Sequence, residues 1–364
     1  MHVTKIATVL LLLQVCFFLS GCGFKDIDKR FFVVAMGIDW TGKEDKPYLI
    51  TLRLAVPTSK IGEGLAESQI EQLEALSIAE AVRNLKAHVD KELDFGHCRM
   101  FLFGDSLVKE SMEEPFNWLA RRRDIQLISY SAVAEPNANK VLLANPTSER
   151  MAGNSFFLTF GKEGTVSPYT VTEHLFDSFR RFKEKGVDPY FPIISFDGDS
   201  YVVENLALLN KIKERLVLNK EETQLYNLSS NAFSRSGIHI NYNGKRLAFY
   251  VSRVSRDISI TKDYVPTVKM KLKVTGIVEQ SPLNLMNKNI PEVQKLLEEH
   301  LKEDAEALLY KIRDASVDPY GFGLHYLGQY FGKEKDWKHW QSVYPQVKFE
   351  VDTRVIIEST GLVR

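Results

Sequence analysis

At 364 residues, 44% hydrophobic and 26% charged, the chain has the composition of ordinary globular proteins and material for two or three cored domains. Lysine plus arginine equal aspartate plus glutamate, 47 each, so no long-range field gathers nucleic acid or an anionic surface from solution. Wholesale disorder and charge-driven nucleic-acid binding are excluded.

The first segment reads as an export signal. His2 and Lys5 form a short positive start, and Ile6 to Leu19 is polar only at Thr8 and Gln14. Those fourteen residues are too few to span ~30 Å of hydrocarbon as a helix, but they match a signal-peptide core. Leu19-Ser20-Gly21-Cys22 follows: an aliphatic residue, two small residues and a cysteine make a bacterial lipobox. The expectation is cleavage after Gly21, with diacylglycerol on the Cys22 sulfur and an acyl group on its new amino terminus. Two acyl chains give stable anchoring, at ~0.8 kcal/mol per buried CH₂. No other stretch approaches 18 apolar residues, so the body is expected on the outer face of a cytoplasmic membrane, held by lipid alone.

Residues 31–40 and 48–56 read as strands joined by the polar linker 41–47, and residues 58–71 as a surface loop. Leu73, Leu76, Ala79, Val82, Leu85 and Val89 recur at helical spacing. A strand over 99–103, a helix around 107–119 shortened or restarted by Pro115, and a strand over 127–134 follow. Residues 144–168, rich in Gly, Ser, Asn and Pro, read as irregular. The pattern predicts a helix over 170–185, with Gly186 where a cap belongs. Strands 190–196 and 201–208 flank Asp197-Gly198-Asp199, which is a hairpin signal; the longer spacing of a calcium loop is missing. A charged helical stretch is expected over 213–228. Asn243-Gly244 marks a second hairpin between 237–241 and 245–252. Residues 265–279 alternate as a half-exposed strand, and 291–314 form the longest helix. Asp318-Pro319-Tyr320-Gly321-Phe322-Gly323 breaks it, before a short aromatic helix and a last strand over 347–358.

This alternation argues an α+β fold: three domains of mixed or antiparallel sheets with packed helices. The expected division is signal peptide 1–21, an N-terminal α/β domain 22–143, a middle segment 144–210 and a C-terminal α/β domain 211–364.

The residues offer little for catalysis. Cys98 alone remains in the mature body, which rules out an internal disulfide; the apolar run around it suits a buried small side chain. His97 beside it points to the opposite strand face and cannot serve as its base. Arg121-Arg122-Arg123 reads as a solvated helix end. His300, among Glu298, Glu299, Lys302 and Glu303, lies on the polar side of its helix rather than in a metal site. Hydrolase-elbow, phosphate-loop and zinc motifs are missing from the sequence. The chain is therefore expected to be no enzyme, with no cofactor and no metal.

Three segments together resemble a known family. They are Cys22 to Asp39, with a lipid cysteine and a strand ending Gly37-Ile38-Asp39; Gly96 to Gly104, followed by Arg122 and Arg123; and Asp318 to Gly323, followed by Trp337, Trp340 and the last strand. Their order and spacing are similar to the Ger(x)C lipoproteins, the C subunits of spore germinant receptors, over nearly the whole mature chain. Gly23 and Phe24 stand where many relatives carry a tryptophan after the lipid cysteine. The resemblance implies three mixed α/β domains, a place in the spore inner membrane beside integral A and B subunits, a role in assembly or signalling when nutrients start germination, and no catalytic residues. The competing reading is a solute-binding lipoprotein of an importer, whose lobes would be purely parallel sheets; a wall- or lipid-modifying enzyme is a third. The aromatic cluster Tyr320, Phe322, Tyr326, Tyr330, Phe331, Trp337 and Trp340 reads as core of the last domain, with a partner interface as the alternative.

Overall fold

The computed structural model describes residues 29–55, 68–147, 149, 153–161, 164, 166–211, 215–231, 233, 235–281, 289–329 and 333–360. The hairpin predicted first is present. β1 (Arg30–Trp40) and β2 (Tyr48–Ala55) pair antiparallel with Ile38 opposite Ile50, and β3 (Ser68–Ala75) lies antiparallel along the outer edge of β2. β4 (Glu92–Asp94) and β5 (Met100–Gly104) run parallel to β1. β6 (Tyr130–Ala134) and β7 (Tyr190–Phe196) continue the parallel run, and β8 (Tyr201–Leu209) and β9 (Arg215–Leu218) close the far side antiparallel. The order is β3-β2-β1-β5-β6-β7-β8-β9, with β4 also on β1.

Among the described residues, six helices dress this sheet: α1 (Ile78–Leu85), α2 (Asp105–Glu110), α3 (Glu113–Arg121), α4 (Ala138–Leu143), α5 (Asn154–Phe160) and α6 (Leu175–Lys183). α1, α2, α3 and α6 pack on one face around Ile50, Phe101, Phe103 and Phe191, while α4 and α5 pack on the other around Met100, Leu102 and Ala132. Coverage on both faces is why β5 and β6 are buried at every position and read as continuous apolar runs.

The second sheet follows α7 (Lys220–Asn231) and has the order β10 (Ser236–Tyr242), β11 (Lys245–Ile260), β12 (Thr267–Gln280) and β13 (Lys348–Ser359). Asn243 and Gly244 both take positive φ, 52° and 75°, the geometry of a two-residue hairpin turn. α8 (Ile290–Asp314), α9 (Phe322–Gln329) and α10 (Glu334–Val343) form the crossover that brings β13 back parallel to β12. Val268, Met270, Leu272 and Val274 face the helices, whereas Lys269, Lys271 and Lys273 point to solvent. Phe322, Tyr326 and Trp340 are buried in this core with Trp337 and Tyr320 packed at its margin, so these five fill core; Tyr330 and Phe331 lie outside the described residues.

Several expectations need correction. Residues 68–71, read as the end of a surface loop, and 73–75, read as the start of a helix, are one strand, because the free edge of β2 supplies backbone partners that outweigh the propensity of Glu, Gln and Leu; the helix starts only after Ser77, whose hydroxyl caps Glu80. Leu127 and Ile128 form a turn ahead of β6 rather than its start. α5 interrupts the stretch read as irregular, and the helix expected from 170 begins at Leu175. Arg215–Leu218, expected helical, pairs with β8 as an edge strand. Strands from either side of residue 143 share one sheet through β6 and β7.

Candidate functional site

The first two signature segments meet in one place. Asp39, at the end of β1 and buried, accepts N–H bonds from Ala138 (2.7 Å) and Asn139 (2.8 Å), the first residues of α4. Gly37 lies beneath this helix, where an added Cβ would come within 2.8 Å of Leu142 and 2.9 Å of Ala138. Gly104 leaves the room that the Asp39 carboxylate occupies. Burial pushes the Asp39 carboxyl upward, against the two N–H donors that favour its charge. The arrangement is an anchored helix start.

Within Gly96 to Gly104, Cys98 is fully buried with its Sγ 3.6 Å from the Met100 carbonyl oxygen, and burial drives its thiol far above the ordinary range. His97 faces away and stacks edge-on against Phe32 at 4.7 Å. Protonated, buried and without a base, Cys98 is a packing residue. Arg122 lies over the rings of Phe95 (4.7 Å) and Trp118 (5.2 Å) and pairs with Asp124, while Arg121 and Arg123 are exposed.

The third segment is a joint between the two sheets. The Asp318 carboxylate is buried and receives three N–H groups of its own loop, from Gly321 (2.9 Å), Phe322 (2.9 Å) and Gly323 (2.7 Å). Asp188, just ahead of β7, locks the loop from the other side: its carboxylate accepts from the Asp318 N–H at 2.7 Å and its own N–H donates to the Asp318 carbonyl at 2.8 Å. Gly186 touches Gly323 backbone to backbone, and the Leu324 N–H donates to the Gly186 carbonyl at 2.8 Å. Arg181 and Tyr226 both donate to the Pro319 carbonyl, at 3.0 and 3.3 Å. Burial raises Asp318 to about 7, with the neighbouring Asp188 adding to the rise.

Beside the joint, Arg181 of α6 binds Asp177 at 2.8 Å, reaches Glu173 at 4.0 Å and lies over the Tyr190 ring at 4.4 Å. Glu173, 1% exposed, is raised to about 8, chiefly by burial. A second buried ion pair joins Arg53 of β2 to Glu149, and Arg53 also donates to Ala144 O (2.9 Å), Asn145 Oδ1 (2.9 Å) and Tyr201 Oη (3.0 Å). The first network ties α6 to β7 and the second ties β2 to the segment after α4 and to β8. The sequence reading passed over Glu173, Arg181, Asp188 and Arg53; the only local signal was a charged residue inside an apolar stretch, as at Arg53.

The other singled-out residues have simple placements. Asp197 accepts the N–H groups of Asp199 (3.0 Å) and Ser200 (2.9 Å), as a turn residue does. His300 faces Asp304 at 3.4 Å on the surface of α8. Among the described residues, no three His, Cys, Asp or Glu side chains converge as metal ligands, and no helix is long and apolar enough to cross a membrane. Gly21 and Cys22 lie outside the described residues. A cleft of about 540 Å³ opens between α2, α3, α6 and the end of β8, floored by Phe116, Phe179 and Phe182 and rimmed by Glu113, Lys183 and Lys211.

Comparison with known proteins matches the chain to two family descriptions, "Spore germination protein N-terminal domain" over residues 23–196 and "Spore germination B3/ GerAC like, C-terminal" over residues 204–361. It is 20% identical to the spore germination protein GerQC of Bacillus cereus over 363 residues, covering 97% of this chain and 98% of that one. The crystal structure of the GerBC protein shares its fold, with a TM-score of 0.59 at 16% identity, covering 92% of this chain and all of that one.

Proposed function

The chain belongs to the Ger(x)C family of spore germinant-receptor C subunits, and on that footing we propose that it is the lipid-tethered, non-enzymatic C subunit of a nutrient germinant receptor. In this reading it sits on the outer face of the spore inner membrane, docks on integral A and B subunits, and is required for their assembly or signalling. The observation that carries the proposal is family likeness over both halves of the chain together with the lipobox Leu19-Ser20-Gly21-Cys22 at its head. Full burial of the Cys98 thiol, which withholds it from a substrate, supports a docking role over a catalytic one. The three-part division belongs to the same proposal: β7 and β8 of the middle segment extend the first sheet, and α6 leads from it into the joint at Gly186.

The test replaces Cys22 by alanine in the sporulating host. The expected result is loss of the protein from inner-membrane fractions, failure to incorporate labelled palmitate, and a strongly reduced germination response to nutrients. A normal response with the protein released from membranes would refute the tether as a requirement.

A further inference from the structure

We propose that the end of the first sheet where β1, β5 and β6 begin is a membrane-contact surface that seats on anionic phospholipid. The inference rests on the lipid anchor at Cys22 and adds to it which face of the body meets the bilayer.

Chain length sets the geometry. Eight Cα steps separate Cys22 from Arg30, the first residue of β1, and a fully extended chain covers at most ~3.6 Å per step, about 29 Å in all. A lipid on Cys22 therefore holds this end of β1 near the headgroups. Hydrogen bonds gather the neighbouring segments at the same end. Arg30 Nη1 donates to Asp94 Oδ2 (2.7 Å), the Gly96 N–H to Asp94 Oδ1 (2.8 Å), and Gln126 Nε2 to the Gly96 carbonyl (2.6 Å). Ser129 Oγ donates to the Cys98 carbonyl (2.6 Å), and the Phe176 N–H to the Leu127 carbonyl (3.0 Å).

The surface so assembled is both apolar and basic. Leu127, Ile128 and Phe176 are 46%, 59% and 48% exposed, three large apolar side chains held together by the turn before β6 and the first turn of α6. Around them residues 29–30, 90–99 and 121–128 carry seven bases against four acids, in a chain whose total charge is balanced. Lys29, Arg99, Arg121 and Arg123 are exposed, whereas the nearby Asp177 is taken up by Arg180 and Arg181. Aliphatic and aromatic side chains flanked by guanidinium groups match a bilayer interface, with the apolar groups at the acyl boundary and the cations among phosphates. Such a patch binds weakly in solution, but a short tether supplies the local concentration that makes weak contact sufficient. Tyr264, more exposed still at 79%, lies in the loop between β11 and β12 against His339, far along the chain from the tether.

The test uses full-length acylated protein in vesicles of phosphatidylglycerol and phosphatidylethanolamine containing a doxyl-lipid quencher. A fluorophore is placed on Ile128→Cys or, as control, on Tyr264→Cys; buried Cys98 and acylated Cys22 do not react. The label at 128 should be quenched several-fold more than the label at 264. The difference should shrink in 1 M salt, where the Debye length falls to ~3 Å, and in the Arg121→Gln/Arg123→Gln variant, which should still float with the vesicles. Equal quenching at both positions in floating protein overturns the proposal and leaves the anchor standing. Shielding at 128 that requires co-reconstituted A and B subunits also overturns it, in favour of protein docking. Chain that carries no lipid and does not float sinks the anchor and the contact surface together.

Discussion

Gly186→Ala measures what the joint between the two sheets contributes. Gly186 has φ of +80°, and its added Cβ would lie 2.4 Å from both Gly323 C and Leu324 N, atoms of the backbone that cannot swing aside. Ordinary contact starts near 3.4 Å, so the two chains must part by about 1 Å, breaking the 2.8 Å bond from the Leu324 N–H to the Gly186 carbonyl. The left-handed conformation costs a non-glycine residue ~1–2 kcal/mol. The lost hydrogen bond adds ~1 kcal/mol and the forced separation ~1–3 kcal/mol. The sum, ~3–6 kcal/mol, is a large share of the ~5–15 kcal/mol that keeps a folded domain together.

Gly244→Ala supplies the control, because Gly244 also has positive φ (+75°) but a Cβ there would meet nothing within 4 Å. It should lose only the conformational part, ~1 kcal/mol. Urea unfolding followed by tryptophan fluorescence should give a midpoint shift at least twice as large for Gly186→Ala as for Gly244→Ala, and Trp340, whose ring lies beside Gly323, should report an early local change in the first variant alone. Equal shifts would show that close approach of the two glycine backbones contributes nothing, and the joint as described would be wrong.

Two further outcomes can be checked on the same protein. Glu173 and Asp318, raised by burial to about 8 and about 7, bind protons more tightly folded than unfolded, so the stability they contribute is complete below pH ~4 and is lost as pH rises through 7 to 8. His239 and His325 are lowered and act in the opposite direction mainly below pH ~6.5, and the lowered Asp94 and Asp177 act lower still. The urea midpoint should therefore fall between pH 6.5 and 8.5, more gently in Glu173→Gln; a midpoint that climbs across this window refutes the assignment. Arg53→Met leaves the Glu149 carboxylate buried without its cation, held by the Ser155 N–H at 3.3 Å, and should cost ~3–5 kcal/mol by the same assay, whereas Arg53→Met/Glu149→Met should recover most of it. A double variant no better than the single one would show that Arg53 acts through Asn145 and Tyr201 rather than through its ion pair.

The sequence was informative wherever one physical rule determined an element. Alternation and polar turns gave the β1–β2 and β10–β11 hairpins, and the three-and-four spacing gave α8 nearly to its ends. It misled where a neighbour far along the chain decided. Ser68–Ala75 has helix-forming residues and became strand because β2 offered an edge; Arg215–Leu218 did the same beside β8. Gly186 was read as a helix cap. The helix ends with Glu184 as its cap, and Gly186 is glycine because Gly323 presses against it, a fact no local pattern contains.

Five of the residues that carried the family resemblance share one physical character. Gly37, Gly104 and Gly323 sit where a side chain would collide with a neighbouring element, and Asp39 and Asp318 each hold several backbone N–H groups in place. Such positions are constrained by the frame whatever the protein binds, so a pattern built from them identifies the scaffold and says nothing of any ligand. Altering them perturbs folding and function together, and a germination defect in Asp318→Asn could not be assigned to either. Positions free of that ambiguity must bear on the membrane or a partner while contributing little to the core. Cys22, ahead of the first strand, and exposed Ile128, in the turn before β6, meet that condition, which makes them the informative places to separate attachment from architecture.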